Sequence, residues 1–565
     1  MTQRLTRREM LAGSIRLAAA VASVALLRSD VALAQPPAHG EDLVDDGDAL
    51  RRGNARGTAV VATPEGPALR ATEEGGAFTS ATLQSSARFT HVGLHWSAAV
   101  PPRAGLGFEA RTSADGSSWS PWSPVQVESL PEETPVGDYF GALIYAGGAR
   151  FVQYRATFRT AGGAGPSLRR VTATVIDSPA ATTAADLLPT LSVADADSGR
   201  SLAVTSREQW GADESYRFAR SGKELWPEMF VPAKKLVVHH TATRNDYKSG
   251  AEAAAEVRAI YRYHAVTKRW GDIGYTALVD KFGNTYEGRH GRGEGDATRE
   301  GREVLSAGVV AGHDTSHNYG SAGVALLGDA TKADWPLGGA GGAMWDALVR
   351  HCTFESGRHF LRPLAVGKTS QQGDADIATS DFLRSDDTWT NGMRNISGHQ
   401  ETNATACPGT AVMGLLDELR TAIHTNLTDV RRAGVVVRTA TREVALSSGS
   451  TLNLDFSWSV PPEELPEGWT VAGYEYCFEG WYKPSDSYDI QYTSGYDSTA
   501  QPRPVWEKTS ATGRSFSVSK AGHYTLHVRA LIQQAGGSPV RGAYEGNHTY
   551  LVKPASSTGG NKPRR

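Results

Sequence analysis

The sequence predicts a multidomain protein: a central α/β domain, in which a mixed β-sheet packs with helices, is flanked by N- and C-terminal β-sandwich domains. At 565 residues the chain is too long for one core, because domains average roughly 150 residues. Short alternating apolar runs, separated by turn residues, fill both flanks. The middle region instead combines buried-strand runs with stretches of helical periodicity. These observations together favour three folded domains.

The composition excludes several classes of protein. Hydrophobic residues make up 40% of the chain and charged residues 21%, as in ordinary globular proteins. A formal net charge of −3 gives no electrostatic basis for binding nucleic acid. The three cysteines, Cys352, Cys407 and Cys477, exclude a dense disulfide framework. They leave open whether Cys352 and Cys477 pair.

Residues 1–34 have the pattern of an export signal peptide. A basic start precedes a largely apolar run at 17–27, and small residues at 32 and 34 predict cleavage before Gln35. The sequence TRREML at 6–11 resembles a twin-arginine signal; a general secretory signal is the alternative. The apolar run is too short to span a membrane. We therefore predict an exported protein, periplasmic or extracellular, without a membrane span.

Residues 35–56 lack periodicity and are interpreted as a linker before a β-sandwich at 57–178. The dipeptide Asp115-Gly116 is a strong hairpin signal between two of its predicted strands. The surrounding sequence, SADGSSW at 113–119, resembles the Asp-box turn of sialidases, which we interpret as structural. Trp119 and Trp122 are predicted to be core residues rather than a ligand platform.

A second linker is predicted at 179–202, before the α/β domain at 203–428. This domain has buried-strand runs at 236–238 and 323–327 and helical patterns at 251–263, 344–360 and 410–423. Residues 364–395 are rich in Asp, Ser and Thr and lengthen the segment before His399. We interpret this insertion as a lid or, slightly favoured, as a tolerated surface loop.

The alternating pattern returns at 433–553, where Tyr524, Leu526 and Val528 share one face of a predicted strand. An immunoglobulin- or fibronectin-like β-sandwich is predicted there. Residues 554–565 are low in apolar residues and are expected to be a disordered tail.

Three motifs of the middle region carry residues suited to metal chemistry. They are VVHHTA at 237–242, WGDIGY at 270–275 followed by NTYEGR at 284–289, and SGHQETNATACPG at 397–409. Catalytic zinc is commonly held by imidazole and thiolate in tetrahedral geometry, with the fourth position left to water. His239, His399 and Cys407 have the right chemistry and number for that. Spacing alone is not decisive, because a lone histidine at a strand end is more often structural.

Taken together, these motifs resemble the zinc-dependent N-acetylmuramoyl-L-alanine amidases of the type-2 amidase and peptidoglycan recognition protein family. The likeness extends over about residues 205–425 and includes SREQWG at 206–211 and GVALLG at 323–328. It implies that His239, His399 and Cys407 ligate Zn²⁺. It also implies that Tyr275 is a catalytic residue beside the metal-bound water, with Thr405 at a second catalytic position.

The resemblance implies hydrolysis of the amide between the lactyl group of N-acetylmuramic acid and L-alanine. Zinc lowers the pKa of its water from about 15.7 to about 7, so that hydroxide can attack the lactyl carbonyl. Tyr275 and Thr405 are expected to hydrogen-bond the water or the developing oxyanion. The expected partners are peptidoglycan or muropeptides, without nucleic acid, and the expected state is a monomer.

Four further residues are candidates for substrate binding: His264, His313, Asn318 and Arg289. Each also has an alternative interpretation without a role in binding. His264 is then a core histidine, His313 and Asn318 are polar residues of a surface loop, and Arg289 forms a surface salt bridge. His240 is interpreted as a packing residue or as a partner of the metal ligands. Gln400 replaces the arginine that commonly follows the ligand histidine, so the surroundings of His399 can differ from the family pattern.

Three competing functions follow from the same residues. A recognition protein that binds peptidoglycan without cutting it is the main alternative, although family members of that kind lack the cysteine ligand. A cysteine hydrolase using Cys407 as nucleophile and His399 as base leaves the His239 motif unexplained. An adhesion protein built on the flanking sandwiches has no binding motif of its own in the sequence.

Overall fold

The structure is a computed structural model, and it describes residues 37–128, 137–181, 187–195, 198–292, 303–336, 341–364, 379–427, 433–482, 489–492 and 505–555. The predicted signal at 1–34, residues 365–378 of the predicted insertion and residues 556–565 of the predicted tail lie outside the described residues. Within the described residues, no helix is long and apolar enough to cross a membrane.

Hydrogen bonds join the described N-terminal strands into one eleven-stranded sheet. In chain order the strands are β1 (His39–Asp46), β2 (Asn54–Arg56), β3 (Thr58–Thr63), β4 (Gly66–Ala71), β5 (Gly75–Thr79), β6 (Leu83–Ala99), β7 (Gly105–Ser113), β8 (Ser123–Pro124), β9 (Asp138–Phe140), β10 (Ile144–Arg159) and β11 (Ser167–Asp177). The main path is β2-β5-β10-β6-β11-β4-β3.

The N-terminal region differs in two ways from the structure that the sequence predicts. The expected sandwich has two sheets, but β6 and β10 are 17 and 16 residues long and each pairs with three other strands, which connects all eleven. Residues 35–56, interpreted as a linker, contain β1, which pairs along β11 from His39 opposite Asp177 to Asp46 opposite Arg170. The acidic sequence of β1 concealed it, because its strand contributes little to the core.

Trp119 and Trp122 are half-buried, so the prediction that they are core residues is wrong. Both rings stack on the guanidinium of Arg111, at 4.8 and 4.6 Å from ring centroid to Cζ. The turn beside them is ordered by Asp115, whose Oδ1 accepts the backbone N–H groups of Ser117 and Ser118 at 2.8 Å each. Asp115 is thus a turn residue.

The middle of the chain, as described, contains the following elements: β12 (Leu191–Asp195), β13 (Arg200–Val204), α1 (Arg207–Trp210), β14 (Lys235–His240), α2 (Gly250–Arg262), β15 (Ala277–Val279), β16 (Thr285–Glu287), β17 (Ser321–Leu326), α3 (Ala343–Arg358), β18 (Thr379–Leu383), β19 (Trp389–Arg394), β20 (Ile396–Gly398), α4 (Thr410–Met413) and α5 (Leu416–Asn426). Strands β12 and β13 form a hairpin that reaches into the stretch interpreted as a linker at 179–202.

A five-stranded mixed sheet of order β16-β15-β17-β14-β20 organises this region. Strand β14 lies between β17 and β20 and is parallel to both. All six of its residues are buried, which is typical of a parallel strand covered on both faces. The predicted helix at 410–423 is divided into α4 and α5 at Gly414 and Leu415.

The described part of the 364–395 insertion is a packed hairpin. Strands β18 and β19 pair in antiparallel, and Phe382 and Met393 bury their side chains against Val237 of β14. Thr390 of β19 also forms a hydrogen bond with His317, with 2.7 Å between its Oγ1 and the histidine Nε2. These contacts differ from the surface loop that the composition favoured, because Phe382, Leu383 and Met393 are apolar residues within the polar sequence and all three are buried.

The described C-terminal strands form a three-stranded and a seven-stranded sheet around one core. The strands are β21 (Val436–Arg438), β22 (Glu443–Leu446), β23 (Leu452–Ser459), β24 (Trp469–Tyr482), β25 (Asp489–Tyr492), β26 (Glu507–Thr509), β27 (Gly513–Val518), β28 (Gly522–Gln534), β29 (Val540–Arg541) and β30 (Gly546–Pro554). Cys477 in β24 and Cys352 in α3 are both buried and neither forms a disulfide bond, so these two cysteines do not pair.

Both flanking regions pack directly on the middle region. Phe140, Leu143 and Ile176 share a core with Tyr261 and Tyr263 at the end of α2. On the other side, the buried guanidinium of Arg362 bonds the Glu464 carboxylate at 2.5 Å. The N-terminal contact matters most for function, because it lies beside the cleft described below.

The buried histidine His527 of β28 predicts a pH dependence of stability. Its ring nitrogens lie 2.9 Å from Glu545 and 3.1 Å from Glu479. Burial alone lowers the pKa of His527, but these carboxylates outweigh it and raise the pKa to about 9. The ion pairs therefore contribute fully below pH ~6.5, the unfolded pKa, and their contribution of up to about 3 kcal/mol is lost as pH rises through 9.

We expect the Tm of the full chain to fall between pH 7 and pH 10, and to fall less in His527→Gln. Thermal denaturation followed by circular dichroism at both pH values measures this. An equal fall in the two proteins would contradict the assignment of the pH dependence to His527.

Candidate functional site

A cavity of about 250 Å³ opens at the C-terminal end of β14. Ligands of open α/β sheets commonly bind at this end of parallel strands. Seven of the nine residues predicted to form the site line the cavity: His239, His264, Tyr275, His313, His399, Thr405 and Cys407.

Three side chains from separate elements converge on one point of this cavity. His239 lies near the end of β14, and His399 directly follows β20, the parallel neighbour of β14. Cys407 lies in the loop before α4, with its Sγ 3.6 Å from His239 Nδ1. The ligand atoms of the three residues lie within 4.8 Å of one another. Among the described residues, no other group of His, Cys, Asp and Glu atoms meets this criterion.

The chemistry of these three residues fits a zinc ion. Both ring nitrogens of His399 are buried without a hydrogen-bond partner in the described part of the chain. Buried polar atoms normally have partners, so an unpartnered imidazole is expected where a nitrogen serves as a metal ligand. Cys407 Sγ accepts the His240 N–H at 3.3 Å, a contact that favours a thiolate. Two imidazoles and one thiolate leave the fourth position of a tetrahedral ion free.

Burial sets the protonation of these residues. It lowers the pKa of His239 well below its usual range, with the neighbouring imidazoles adding to the effect, and it also lowers the pKa of His399. Both rings are thus neutral, which is the form that ligates metals. Burial raises the pKa of the Cys407 thiol to about 12. A cation at this point is what would hold the sulfur as a thiolate.

Tyr275 and Thr405 complete the inner part of the cavity. The Tyr275 ring centroid lies 5.7 Å from that of His239, and burial raises the pKa of the phenol well above its usual value. Tyr275 therefore keeps its proton and can act only as a neutral group that donates or accepts a hydrogen bond. The Thr405 hydroxyl accepts the Cys407 N–H at 3.2 Å, so Thr405 also orders the loop that carries the thiol.

Known proteins of similar sequence decide the family. The chain is 29% identical over 215 residues to an N-acetylmuramoyl-L-alanine amidase of Sus scrofa and 30% identical over 224 residues to one of Homo sapiens. It is 31% identical over 152 residues to peptidoglycan-recognition protein SC2 of Drosophila simulans and covers 69% of that protein. The chain belongs to the family of N-acetylmuramoyl-L-alanine amidases and peptidoglycan-recognition proteins. The resemblance based on the motifs is confirmed at this level.

The extent of these matches is partial. The mammalian amidases match 38% and 39% of this chain, and the chain spans only 27% and 28% of their length. No family model matches the chain. Among solved structures, Drosophila PGRP-LB is 19% identical and covers 37% of this chain and 90% of its own, with a TM-score of 0.24. A TM-score this low adds nothing to the family assignment.

In this member of the amidase and recognition-protein family, His264 and His313 both reach the cavity. His264 Nδ1 accepts the Gly274 N–H at 3.1 Å, and burial lowers the pKa of His264 to about 3. The neutral ring therefore carries its proton on Nε2. His313 Nδ1 lies 3.0 Å from His239 Nε2, so His313 orients a predicted metal ligand. His240 Nδ1 accepts the Ala330 N–H at 3.0 Å.

Asn318 and Arg289, by contrast, are not among the residues that line the cavity. Asn318 Oδ1 accepts the Asp314 N–H at 2.9 Å and so orders the loop after His313. Arg289 is fully buried and pairs with Asp272 at 2.6 Å. The contact of Arg289 is a structural one, because the buried Asp272 carboxylate needs cationic partners. A part of either residue in substrate binding stays a prediction.

The Asp272 ion pairs predict a large effect on stability. Its two oxygens contact the guanidinium groups of Arg207 at 2.9 Å and Arg289 at 2.6 Å, and all three side chains are buried. Asp272→Ala leaves two buried cations without this partner, so we expect a loss of about 3–5 kcal/mol in the free energy of unfolding. Urea denaturation measures it. Glu109→Ala, which removes a partly exposed pair with Arg155, is the control and should cost under about 1 kcal/mol; equal losses would contradict the prediction.

Two features of the site escaped the sequence analysis. Asp314 is buried, with its Oδ1 3.7 Å from His399 Nε2 and 3.3 Å from His317 Nδ1; it directly follows the candidate residue His313, which was a usable signal. The second feature is a wall of the cavity formed by Gln126, Val127, Glu128 and Ala142 of the N-terminal region. Nothing in the local sequence of that wall indicates a role in the site.

Proposed function

We propose that the chain is a zinc-dependent N-acetylmuramoyl-L-alanine amidase that hydrolyses the amide between the lactyl group of N-acetylmuramic acid and L-alanine. The observation that carries the proposal is the convergence of His239, His399 and Cys407 within one cavity. A recognition protein that binds without cutting has no need of the thiol ligand. The substrate is peptidoglycan or a muropeptide, and the protein acts as an exported monomer.

When bound by these residues, zinc polarises the scissile carbonyl and lowers the pKa of a water molecule toward ~7. His313 holds the His239 ring through the bond between Nδ1 and Nε2, and contacts of this kind fix the orientation of metal-binding imidazoles. The Tyr275 hydroxyl keeps its proton and donates a hydrogen bond to the oxyanion that develops on the lactyl carbonyl. A well-placed donor of this type contributes about 3 kcal/mol to the transition state.

A cysteine hydrolase is disfavoured by the same contacts. The Cys407 sulfur lies 3.6 Å from a ring nitrogen of His239 and 3.3 Å from the His240 N–H. His399 makes no hydrogen bond to Cys407, and neither of its ring nitrogens has a hydrogen-bond partner in the described part of the chain. A nucleophile and its base are expected within hydrogen-bond reach.

Mass spectrometry of muropeptides tests the proposal. Purified peptidoglycan is incubated with the full chain, with the chain after chelation, and with the chelated chain after zinc is restored. We expect stem peptides with a free L-alanine amino terminus in the first and third samples only. Binding of muropeptide without release of such peptides in any sample would overturn the proposed activity in favour of recognition.

A further inference from the structure

One wall of the cavity belongs to a different part of the chain from the proposed metal site. Gln126, Val127 and Glu128 follow strand β8 of the N-terminal sheet and line the cavity opposite the residues of the central sheet. The wall is fixed in place, because Gln126 Nε2 donates to Asp329 Oδ2 at 2.9 Å. The Tyr263 hydroxyl also donates to the Gly141 carbonyl at 2.8 Å. The N-terminal region therefore shapes the space that a substrate enters.

Glu128 is anchored in this wall by a buried lysine. The Lys268 Nζ bonds the Glu128 carboxylate and lies 4.6 Å from the ring centroid of Trp270. The Lys268 side chain is 2% exposed, whereas that of Glu128 is 23% exposed. Lys268 thus fixes the position of the carboxylate, and both side chains line the cavity.

His264 places a hydrogen-bond donor beside this carboxylate. Because the Gly274 N–H occupies Nδ1, the proton of the neutral His264 ring is on Nε2, which lies 4.0 Å from Glu128 Oε2. This distance is too long for a direct hydrogen bond. It suits one oxygen between the two, at roughly 2.8 Å from each. A hydroxyl fits, because it can accept from His264 and donate to Glu128 at the same time.

We propose that Glu128 is a substrate-binding residue, whose carboxylate accepts a hydrogen bond from a sugar hydroxyl of the bound muramyl peptide. The identity of the substrate rests on the proposed function. The N-terminal region is then part of the active site and favours substrates that carry the muramyl sugar over the peptide alone.

The test compares two substrates in the full chain and in Glu128→Ala. One substrate is an N-acetylmuramoyl tripeptide; the other is the same peptide with an O-methyl-lactyl group in place of the sugar, so that the scissile amide is kept and the hydroxyls are lost. We expect Glu128→Ala to raise KM for the muramyl peptide by roughly tenfold, the usual effect of a hydrogen bond to a charged group. The KM for the O-methyl-lactyl peptide should stay within twofold, with kcat unchanged on both.

Ser178→Ala serves as the matched control. The Ser178 hydroxyl donates to the Ala255 carbonyl at 2.8 Å across the same boundary between the N-terminal and central regions, but Ser178 does not line the cavity. We expect this variant to keep both KM values. Glu128→Gln, which retains one acceptor oxygen, should raise KM for the muramyl peptide less than Glu128→Ala does.

Two results would overturn the proposal. An unchanged KM for the muramyl peptide would exclude the hydrogen bond, and an equal rise in KM for both substrates would show that Glu128 only maintains the shape of the cavity. If the wild-type chain cleaves neither substrate, the proposed activity fails. In that case, calorimetric Kd values for the muramyl peptide and the O-methyl-lactyl peptide are compared between the wild-type chain and Glu128→Ala. This comparison tests the role of Glu128 in binding independently of the proposed activity.

Discussion

Replacing Cys407 with alanine is expected to remove bound zinc and to lower kcat/KM on a muropeptide by roughly a thousandfold or more. The variant leaves only His239 and His399 as ligands, and catalytic zinc sites normally have three from the protein. Losing the ion removes several kcal/mol of stabilisation of the transition state, and each 1.36 kcal/mol is about a tenfold change in rate. Inductively coupled plasma mass spectrometry measures the zinc content, and initial rates of muropeptide hydrolysis measure the loss of activity.

Cys477→Ala is the matched control for this experiment. Cys477 is a buried cysteine of the C-terminal region that forms no disulfide bond, and it does not line the cavity. We expect this variant to keep one zinc per chain and the wild-type rate. A Cys407→Ala protein that retains zinc and activity would contradict the assignment of Cys407 as a ligand.

Replacing Tyr275 with phenylalanine is expected to lower kcat by about 100- to 1000-fold without loss of zinc. The change removes a single hydroxyl and keeps the ring that packs between His239 and His264. Burial keeps the pKa of this phenol above its usual value, so the lost group is a neutral donor. The pH–rate profile below pH 9 should therefore have the same shape in the variant as in the wild-type chain. Steady-state kinetics with zinc analysis measure this.

Tyr261→Phe is the control for the loss of a buried tyrosine hydroxyl. The Tyr261 hydroxyl donates to the Asp213 carbonyl at 3.0 Å, outside the cavity lining, so its removal should affect stability and leave kcat within about twofold. If Tyr275→Phe also retains the wild-type kcat, Tyr275 has no part in the chemistry.

The sequence was informative about the inner part of the site because its residues occur in short motifs tied to strand ends. His239 and His399 lie at the ends of neighbouring parallel strands, and their proximity was predicted from the family resemblance that the ordered motifs carry. Cys407 and Thr405 share one loop with His399. The assignment of these residues to a metal site remains a prediction, to which the structure adds their convergence.

Other features depend on contacts between distant parts of the chain, which a single sequence does not reveal. Arg289 lies within a family motif, yet its guanidinium pairs with the buried carboxylate of Asp272. Glu128 reaches the cavity only because an apolar cluster packs the N-terminal sheet against α2. Strand β1 was missed for a similar reason, since its acidic residues pair along β11 without the apolar alternation that predicts a strand.

The central claim concerns the bond that is cut, and hydrolysis in ¹⁸O-labelled water tests it most directly. An N-acetylmuramoyl tripeptide is digested by the zinc-loaded full chain, and the position of the label in the products is determined by mass spectrometry. Hydrolysis of the lactyl amide places one ¹⁸O in the carboxylate of N-acetylmuramic acid and none in the released peptide. Label in the carboxylate of L-alanine, or no release of N-acetylmuramic acid, would contradict the proposed activity.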